Sequence, residues 1–399
     1  AIEMYKLAEK EENTNAQAIA LTMKALYLSN MTDLFGDMPF KEAFKGIDEN
    51  IMQPKFDDQK VIYDSLLMDL ERANTLYTKT STIDAKRDLL YNGDVTKWRK
   101  FTNSLYLRLL MRVSNRRDMN SAERIKTVFE NPSQYPIFES NDDNATFYYD
   151  EVNPFVNYFG NILESAFTTT GRRPAEQIIG MMDAPGDPRI SIWFKQASGY
   201  DGWKGAESGK EAQESDNSGV SLLNKANLGD YASPYSHMKY DEVLFIFAEA
   251  IKRGWIDGGD ALAEQYYNDA VRASIRFWSD VNKTGNPVSE STVERFLANI
   301  PYDGTLESIL DQKYVALFWT GFEAWHEYRR TGYPALVIGE GTQNDHVLPT
   351  RMAYPTIAIK TNPDNYAAEV ARLQSVFRGA DDMKTPVWWS AEAVRKGIE

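Results

Sequence analysis

Residues 305–334 read TLESILDQKYVALFWTGFEAWHEYRRTGYP, and this is the longest strongly periodic stretch of the chain. On a helix, with about 100° per residue, its apolar side chains cover nearly the whole circumference, which is typical of a helix buried inside a large protein. The end is well marked, because Arg329 and Arg330 occupy the last turn. Gly332 can then adopt a left-handed cap, and Pro334 cannot continue the helix. The pattern predicts one central scaffold helix and indicates no chemistry.

The same stretch carries a family motif. The segment QKYVALFWTGFEAWHEYRRTGYPAL, residues 312–336, resembles the signature of the SusD/RagB family, and most closely the subgroup with the motif EAWxEYRRTGYP. These are nutrient-binding lipoproteins of the Bacteroidetes outer membrane. Other segments agree with the family in order along the chain: residues 33–44, 98–114, 187–190, 238–255, 351–366 and 381–389. The resemblance therefore extends over nearly the whole chain, although these motifs belong to the scaffold and say little about a ligand.

Length, charge and composition narrow the class of protein. The chain has 399 residues and no linker rich in Pro, Gly or Ser, so we expect a single unit, residues 1–399, with two lobes. Its formal net charge of −14 would repel a phosphate backbone, which disfavours nucleic acid as a partner. It contains no cysteine, which excludes disulfides, thiolate metal sites and cysteine nucleophiles. No apolar run reaches about 18 residues, so the sequence predicts no transmembrane segment.

Helical periodicity recurs elsewhere and then fades. Helices are predicted for residues 16–30, 57–77, 94–115, 121–130, 175–182, 189–194, 238–255, 261–278, 291–299 and 363–376. Asp94 is the expected cap of one of them, and Pro363 stands in the first turn of the last. The helix pairs, with small and large residues alternating in 238–278, indicate a degenerate tetratricopeptide-like repeat. We therefore predict a mainly α fold, with a helical scaffold (approximately residues 1–135 and 236–333) and an irregular, loop-rich ligand lobe (approximately 136–235 and 334–399).

Catalytic motifs are absent from the sequence, which contains no HExxH, GxSxG, GxxxxGK[ST] or GxGxxG pattern. The histidines lack metal-ligand spacing, and His326 is predicted to be a core imidazole. Glu323 and Glu327 stand one helical turn apart, which invites comparison with the carboxylate pair of a glycosidase. Pairing with Arg329 or Arg330 on a scaffold helix explains them better. The sequence thus predicts a protein that is not an enzyme.

Calcium is the one cofactor that the sequence leaves open. Residues 141–144 and 183–187 are turns rich in oxygen ligands, which suit calcium. Neither segment has the spacing of the regular calcium loop, so we interpret both as turns, and we expect no other cofactor.

Aromatic residues in loops are the remaining candidates for function. Trp and Tyr pair a rigid apolar face with a polar rim, which suits the C–H faces and hydroxyls of sugars. Eight of them lie in irregular segments: Tyr148, Tyr149, Tyr158, Trp193, Tyr200, Trp203, Tyr231 and Tyr235. The predicted ligand-binding residues are Trp203, Tyr200, Trp193, Tyr148, Tyr149 and Tyr235. Tyr200 and Trp203 are favoured, because the polar, glycine-rich loop 199–219 offers little core to bury them. Trp388 and Trp389 are interpreted as structural packing.

The family resemblance implies a biological setting. Family members fold as four degenerate tetratricopeptide-like helix pairs with an irregular lobe packed on them. A lipid anchors them to the outer leaflet of the outer membrane, facing the extracellular space, where they form a lid over a SusC-like TonB-dependent transporter. They capture an oligosaccharide or polysaccharide and close by a hinge motion, without catalysis. The chain opens on AIEMYKLAEK, which is typical of the middle of a helix, so the lipoprotein signal and acylated cysteine are expected in the full-length precursor.

Two alternatives stay open at this point. One is the peptide-binding component of a RagAB-like peptide importer, which a deep, charged cleft would favour, whereas an aromatic loop surface favours a glycan. The other is a lid that gates its transporter and has no ligand affinity of its own. A glycoside hydrolase is disfavoured, because no carboxylate pair is found outside the scaffold.

Overall fold

The computed structural model describes residues 1–78, 80, 82–168, 172–211 and 218–398. Within these ranges helices dominate, and short strands form three antiparallel pairs, so the prediction of a mainly α fold is confirmed. The chain divides into two compact units. The first unit comprises residues 1–137, 325–332 and 347–399, and the second comprises residues 138–324 and 333–346.

The helices follow one another along both units. They are α1 (Ile2–Lys10), α2 (Thr14–Phe35), α3 (Gln59–Leu76), α4 (Val95–Arg112), α5 (Ser121–Glu130), α6 (Glu164–Phe167), α7 (Glu176–Asp183), α8 (Ile190–Trp193), α9 (Lys225–Leu228), α10 (Tyr240–Lys252), α11 (Gly259–Asp280), α12 (Glu290–Asn299), α13 (Leu306–Ala316), α14 (Glu323–Thr331), α15 (Thr356–Thr361), α16 (Pro363–Ser375) and α17 (Ala391–Arg395). The paired strands are β1 (Met38–Pro39) with β2 (Phe56–Asp57), β3 (Ala145–Phe147) with β6 (Tyr235–Met238), and β4 (Phe194–Lys195) with β5 (Leu222–Leu223). Of these helices, all within the described ranges, none is long and apolar enough to cross a membrane.

The division into units differs from the predicted scaffold and lobe. Residues 236–324, expected in the scaffold, belong to the second unit. Residues 347–399, expected in the ligand lobe, belong to the first. Periodicity reports whether a segment is helical, but the unit that a segment joins depends on long-range packing, which a local pattern does not contain.

Asp33 organises the buried polar core of the first unit, in which α2, α3 and α4 pack against one another. Its carboxylate accepts hydrogen bonds from the Tyr63 hydroxyl (2.5 Å) and the Trp389 indole (2.7 Å). The Arg112 guanidinium lies 3.2 Å away. Because Trp388 and Trp389 are both buried, their structural role is confirmed. Asp94 likewise caps α4 as predicted, by accepting from two backbone N–H groups of the first turn.

The predicted central helix is interrupted. Helix α13 ends at Ala316, α14 begins at Glu323, and between them Trp319 (φ 63°) and Gly321 (φ 55°) adopt left-handed backbone angles. The break lets the Phe318 ring stack on Trp193, with centroids 4.4 Å apart. The Trp319 indole can then donate to the carbonyl of Leu228 (3.1 Å). The expectation of one continuous helix was wrong. In a stretch that is apolar on all sides, the backbone path is determined by which side chains are available for packing, and the sequence pattern alone does not show this.

Replacing Gly321 by alanine is expected to destabilise the second unit by about 1 kcal/mol, because an L side chain is strained in the left-handed region. A β-carbon there would lie 3.8 Å from the Tyr235 hydroxyl, so crowding adds little. Gly180 in α7 is the matched control, since no atom lies within 4 Å of an added β-carbon. Gly180→Ala should stabilise by about 0.5–1 kcal/mol. Urea unfolding of both variants measures whether each change raises or lowers the free energy of unfolding. A Gly321→Ala variant that is more stable than the unmodified protein would contradict a left-handed backbone at Gly321.

Candidate functional site

A strand pair in the second unit holds the first part of the site. Strands β3 and β6 are antiparallel, with Phe147 opposite Tyr235 and a register irregularity next to Thr146. The Thr146 and Ser236 hydroxyls lie 2.8 Å apart and join the two strands through buried side chains. Tyr148 follows directly after β3. The pair therefore brings the aromatic residues at the end of β3 next to those at the start of β6.

The segment before β6 holds the second part of the candidate site. Asn157 fixes loop 157–161 to it, because its backbone N–H donates to the carbonyl of Tyr231 (2.9 Å). Its side-chain amide donates to the carbonyl of Ser233 (2.8 Å). The Tyr231 ring lies against Gly160, where an added β-carbon would be 2.9 Å from the ring. Residues 231–235 are thus bordered by loop 157–161 at one end and by β3 at the other.

The helix break completes the site. The Tyr235 hydroxyl lies next to Gly321, and Phe322 follows it with 51% of its surface exposed. Tyr158 and Tyr148 are 79% and 62% exposed, and Tyr231 and Tyr235 are partly exposed. We call these five residues the aromatic strip: Tyr148, Tyr158, Tyr231, Tyr235 and Phe322. Exposed aromatic rings on neighbouring segments can cover the apolar face of a ligand.

Core contacts and hydrogen bonds hold the strip in place. Phe159, next to Tyr158 in the chain, packs on Phe167 (5.3 Å between centroids) and Trp319 (6.0 Å). The Tyr231 hydroxyl donates to the Asn161 side-chain oxygen (3.1 Å). Burial raises the pKa of Tyr149, beside the strip, still further above physiological pH. The site therefore offers rigid rings with polar rims.

Three of the six predicted ligand residues lie at or beside the strip. Tyr148 and Tyr235 belong to it. Tyr149 is half-buried and packs edge-on against Phe147, with centroids 4.6 Å apart. Tyr158 and Tyr231, which the sequence places among the loop aromatics, also lie here. Ligand binding by these residues stays a prediction.

Tyr200 and Trp203 lie in a different loop. The Tyr200 ring is 50% exposed and rests against Gly219, where an added β-carbon would lie 2.4 Å from it. Trp203 is half-buried and packs against the core cluster that contains Trp193. Core side chains are therefore available to cover the Trp203 ring, contrary to the expectation for this loop. Residues 212–217 of the predicted ligand loop lie outside the described residues.

Trp193 is placed in the core, which corrects its prediction as a ligand residue. Its exposed fraction is 0%. The ring is enclosed by Phe318, stacked at 4.4 Å, and by Trp278 at 5.3 Å, measured between centroids. Its place in a short predicted helix within an irregular segment resembled that of a surface residue, but the side chain faces the hydrophobic cluster. It presents no face to a ligand.

Phe322 is the site residue that the sequence did not reveal. In a continuous helix it would be one more apolar residue of a buried scaffold. It reaches the surface because the chain leaves the helical path between Ala316 and Glu323. The only signal in the sequence is Gly321, a residue that often marks a break inside an apolar helical pattern.

The two oxygen-rich turns use their side chains for structure. Asp143 accepts from the backbone N–H of Glu139 (2.9 Å), and the Asn144 side chain accepts from that of Tyr240 (2.6 Å). Asp187 forms a buried ion pair with Arg189. In the part of the chain that the structure describes, no group of three or more His, Asp or Glu side chains is arranged to hold a metal. Calcium binding stays a prediction that rests on composition.

Comparisons with a family model and with solved structures point to the same family. The family SusD-like_2, described as starch-binding and associating with the outer membrane, matches residues 1–355. A solved structure described as a chitin-binding protein is 28% identical, with a TM-score of 0.82 over 98% of this chain and 84% of that chain. A SusD homologue from Bacteroides fragilis NCTC 9343 is also 28% identical, with a TM-score of 0.80 over 94% and 84%. Another from the same strain is 27% identical, with a TM-score of 0.81 over 97% and 86%. A search of curated proteins found no significant match.

Proposed function

The chain belongs to the SusD-like family of starch-binding proteins that associate with the outer membrane, and from this premise we propose that it captures a glycan on the aromatic strip. The observation that carries the proposal is the exposure of the five strip residues on segments that contact one another, namely the end of β3, loop 157–161, residues 231–235 and the helix break. Sugar rings present apolar C–H faces, which aromatic rings cover, while tyrosine hydroxyls and nearby side-chain amides meet the sugar hydroxyls. Starch-like and chitin-like chains are the first ligands to test, given the family description and the chitin-binding relative.

The proposed function is binding without catalysis. The carboxylate pair that invited comparison with glycosidases is buried, with Glu323 6% and Glu327 5% exposed. The Glu327 carboxylate is also ion-paired with the Arg330 guanidinium. Carboxylates in glycosidases flank a sugar bond in an open cleft. These two are instead buried within the packed chain, so they are not candidates for such a pair.

We further propose that the protein delivers its glycan to a SusC-like TonB-dependent transporter, over which it acts as a lid, held to the outer leaflet by a lipid. The support is membership of a family that associates with the outer membrane. Affinity purification of the full-length protein from detergent-solubilised outer membranes tests this proposal. A TonB-dependent barrel recovered in equal amounts with the protein is the expected result. Recovery of the protein without a barrel would contradict the proposal that it acts as a transporter lid.

Replacing Tyr158 or Tyr148 by alanine is expected to weaken glycan binding about tenfold each, because each change removes an exposed ring that a sugar would cover. Affinity electrophoresis through gels that contain starch, chitin derivatives or other polysaccharides measures retardation of the folded protein. Tyr27→Ala is the matched control, since this tyrosine is 50% exposed in the first unit. It should leave retardation unchanged.

The same assay separates the remaining alternatives. Retardation lost in Tyr200→Ala and kept in Tyr158→Ala would move the site to the loop at residues 199–211. Retardation of the unmodified protein by none of the glycans would contradict the proposal. It would favour a peptide ligand, or a lid that has no ligand affinity of its own.

A further inference from the structure

A small cavity lies beside Tyr235, where the strip meets the helix break. The residues that line it include Ser236, Lys239, Trp278 and Thr320. The space open to the centre of a water-sized sphere is about 10 Å³. That is close to what one water molecule requires.

Two polar atoms in the lining residues are buried without a hydrogen-bond partner among the described residues: Trp278 Nε1 and Thr320 Oγ1. Both side chains are more than nine-tenths buried, with exposed fractions of 4% and 3%. An indole N–H can only donate, whereas a threonine hydroxyl can donate and accept. Buried polar groups without partners are costly, so two of them beside one cavity point to a shared guest.

Lys239 decides the charge of that guest. Its ammonium group donates to Asp241 Oδ2 (2.9 Å) and to the carbonyl of Ala316 (2.8 Å). These contacts use two of its three N–H donors and balance its charge. A bare anion in the cavity would therefore lack a net positive partner, and an isolated buried charge is strongly unfavourable. A neutral guest of water size fits better.

We propose that this cavity binds one ordered water molecule, which accepts from Trp278 Nε1 and pairs with the Thr320 hydroxyl. Lys239 also lines the cavity, and its third N–H is a further donor there. The water links α11, which carries Trp278, to the break that carries Thr320. It thereby helps to fix Gly321 and Phe322 beside Tyr235, whatever ligand the strip takes.

A crystal structure at a resolution that shows ordered solvent tests the proposal directly. The expected result is a water peak within hydrogen-bond distance of both Trp278 Nε1 and Thr320 Oγ1. An empty cavity would overturn the proposal. An anomalous peak at this position after a bromide soak would also overturn it, since the guest would then be an anion.

Stability gives an independent readout. Thr320→Val keeps the shape of the side chain and removes the hydroxyl. If a water is bound, the variant should unfold at a lower urea concentration, corresponding to about a tenfold rise in the unfolding equilibrium constant. A dry cavity predicts the opposite sign, because the valine would remove an unpaired buried hydroxyl. Thr320→Ser, which keeps the hydroxyl, should retain the water peak in its own crystal structure, and loss of that peak would count against the proposed contact.

Discussion

Replacing Arg189 by methionine is expected to lower the free energy of unfolding of the second unit by about 3–5 kcal/mol. Arg189 and Asp187 form an ion pair in which both side chains are 0% exposed, and the shortest contact, from a terminal guanidinium nitrogen to Asp187 Oδ2, is 2.6 Å. The guanidinium also donates to the Ser274 hydroxyl on α11 (2.9 Å). Methionine fills similar space but leaves the Asp187 carboxylate buried without its countercharge.

Two further variants isolate the cause. The double variant Asp187→Leu with Arg189→Met removes both charges together and should recover most of the loss, because apolar packing often replaces a buried ion pair at little cost. Arg276→Met removes an exposed ion pair with Glu290, in which the side chains are 57% and 59% exposed. It should cost less than about 1 kcal/mol. Urea unfolding followed by tryptophan fluorescence measures all three, and a loss below about 1 kcal/mol for Arg189→Met would contradict the expected burial cost.

Replacing Glu369 by glutamine is expected to stabilise the first unit at pH 8 by about 2–5 kcal/mol, the upper figure being the full effect of the raised pKa. Glu369 lies on α16 and is 3% exposed. Burial, followed by the nearby Asp37 carboxylate, raises the pKa of Glu369 from its ordinary value of 4.5 to about 8. Arg372 donates to Asp37 (2.6 Å from Nε to Oδ2) and opposes the rise that burial causes in the pKa of Asp37 as well, so we expect Glu369 to be the carboxyl of this pair that keeps its proton.

The surroundings of Glu369 are otherwise poor in compensating contacts. The Tyr354 hydroxyl lies 3.3 Å from Glu369 Oε1 and 2.6 Å from the carbonyl of Asp37. Arg372 and Arg351 act to lower the pKa of Glu369 but do not overcome burial and Asp37. An ionised Glu369 would therefore be a buried charge beside a second carboxylate, which is the physical reason for the expected gain with glutamine.

The pH dependence has a definite sign. A carboxyl group whose pKa is higher in the folded protein adds stability that is complete below its ordinary pKa of 4.5 and is lost as pH rises to about 8. The unmodified protein should lose stability across this window relative to Glu369→Gln, and the two should converge near pH 4.5. Urea midpoints between these pH values measure the difference. Glu123→Gln, an exposed change on α5, is the control, and identical pH profiles for Glu369→Gln and the unmodified protein would show that Glu369 is already ionised when folded.

The elements that the sequence predicted well are those with local signals. Helix α5 has the predicted bounds, Pro363 begins α16, and Asp94 caps α4. Each depends on a few neighbouring residues and their backbone preferences. The break after Ala316 depends instead on the packing of Phe318 against Trp193, which lies 125 positions away in the chain (318 − 193). No local pattern contains that information.

The sequence indicated the type of residue in the candidate site, but only some of the positions. Two of the predicted loop aromatics, Tyr148 and Tyr235, lie together as a result of the β3–β6 pairing, and ligand binding by them stays a prediction. Trp193 resembles them in sequence, yet it is fully buried. Whether an aromatic ring in an irregular segment points inward or outward is decided by tertiary contacts that the composition of the segment does not contain.

Neighbouring residues in loop 157–161 have separate tasks. Phe159 is anchored among core rings, Asn157 ties the loop to residues 231–233, and Tyr158 faces outward. The Tyr158 ring also packs edge-on against Phe159, with centroids 5.1 Å apart, but the hydrogen bonds that tie the loop to residues 231–233 come from Asn157. Under the proposed function, substitutions at Tyr158 would therefore change ligand preference while the hydrogen bonds of Asn157 keep the course of the loop, which gives protein engineers a position at which to alter the ligand without redesigning the fold.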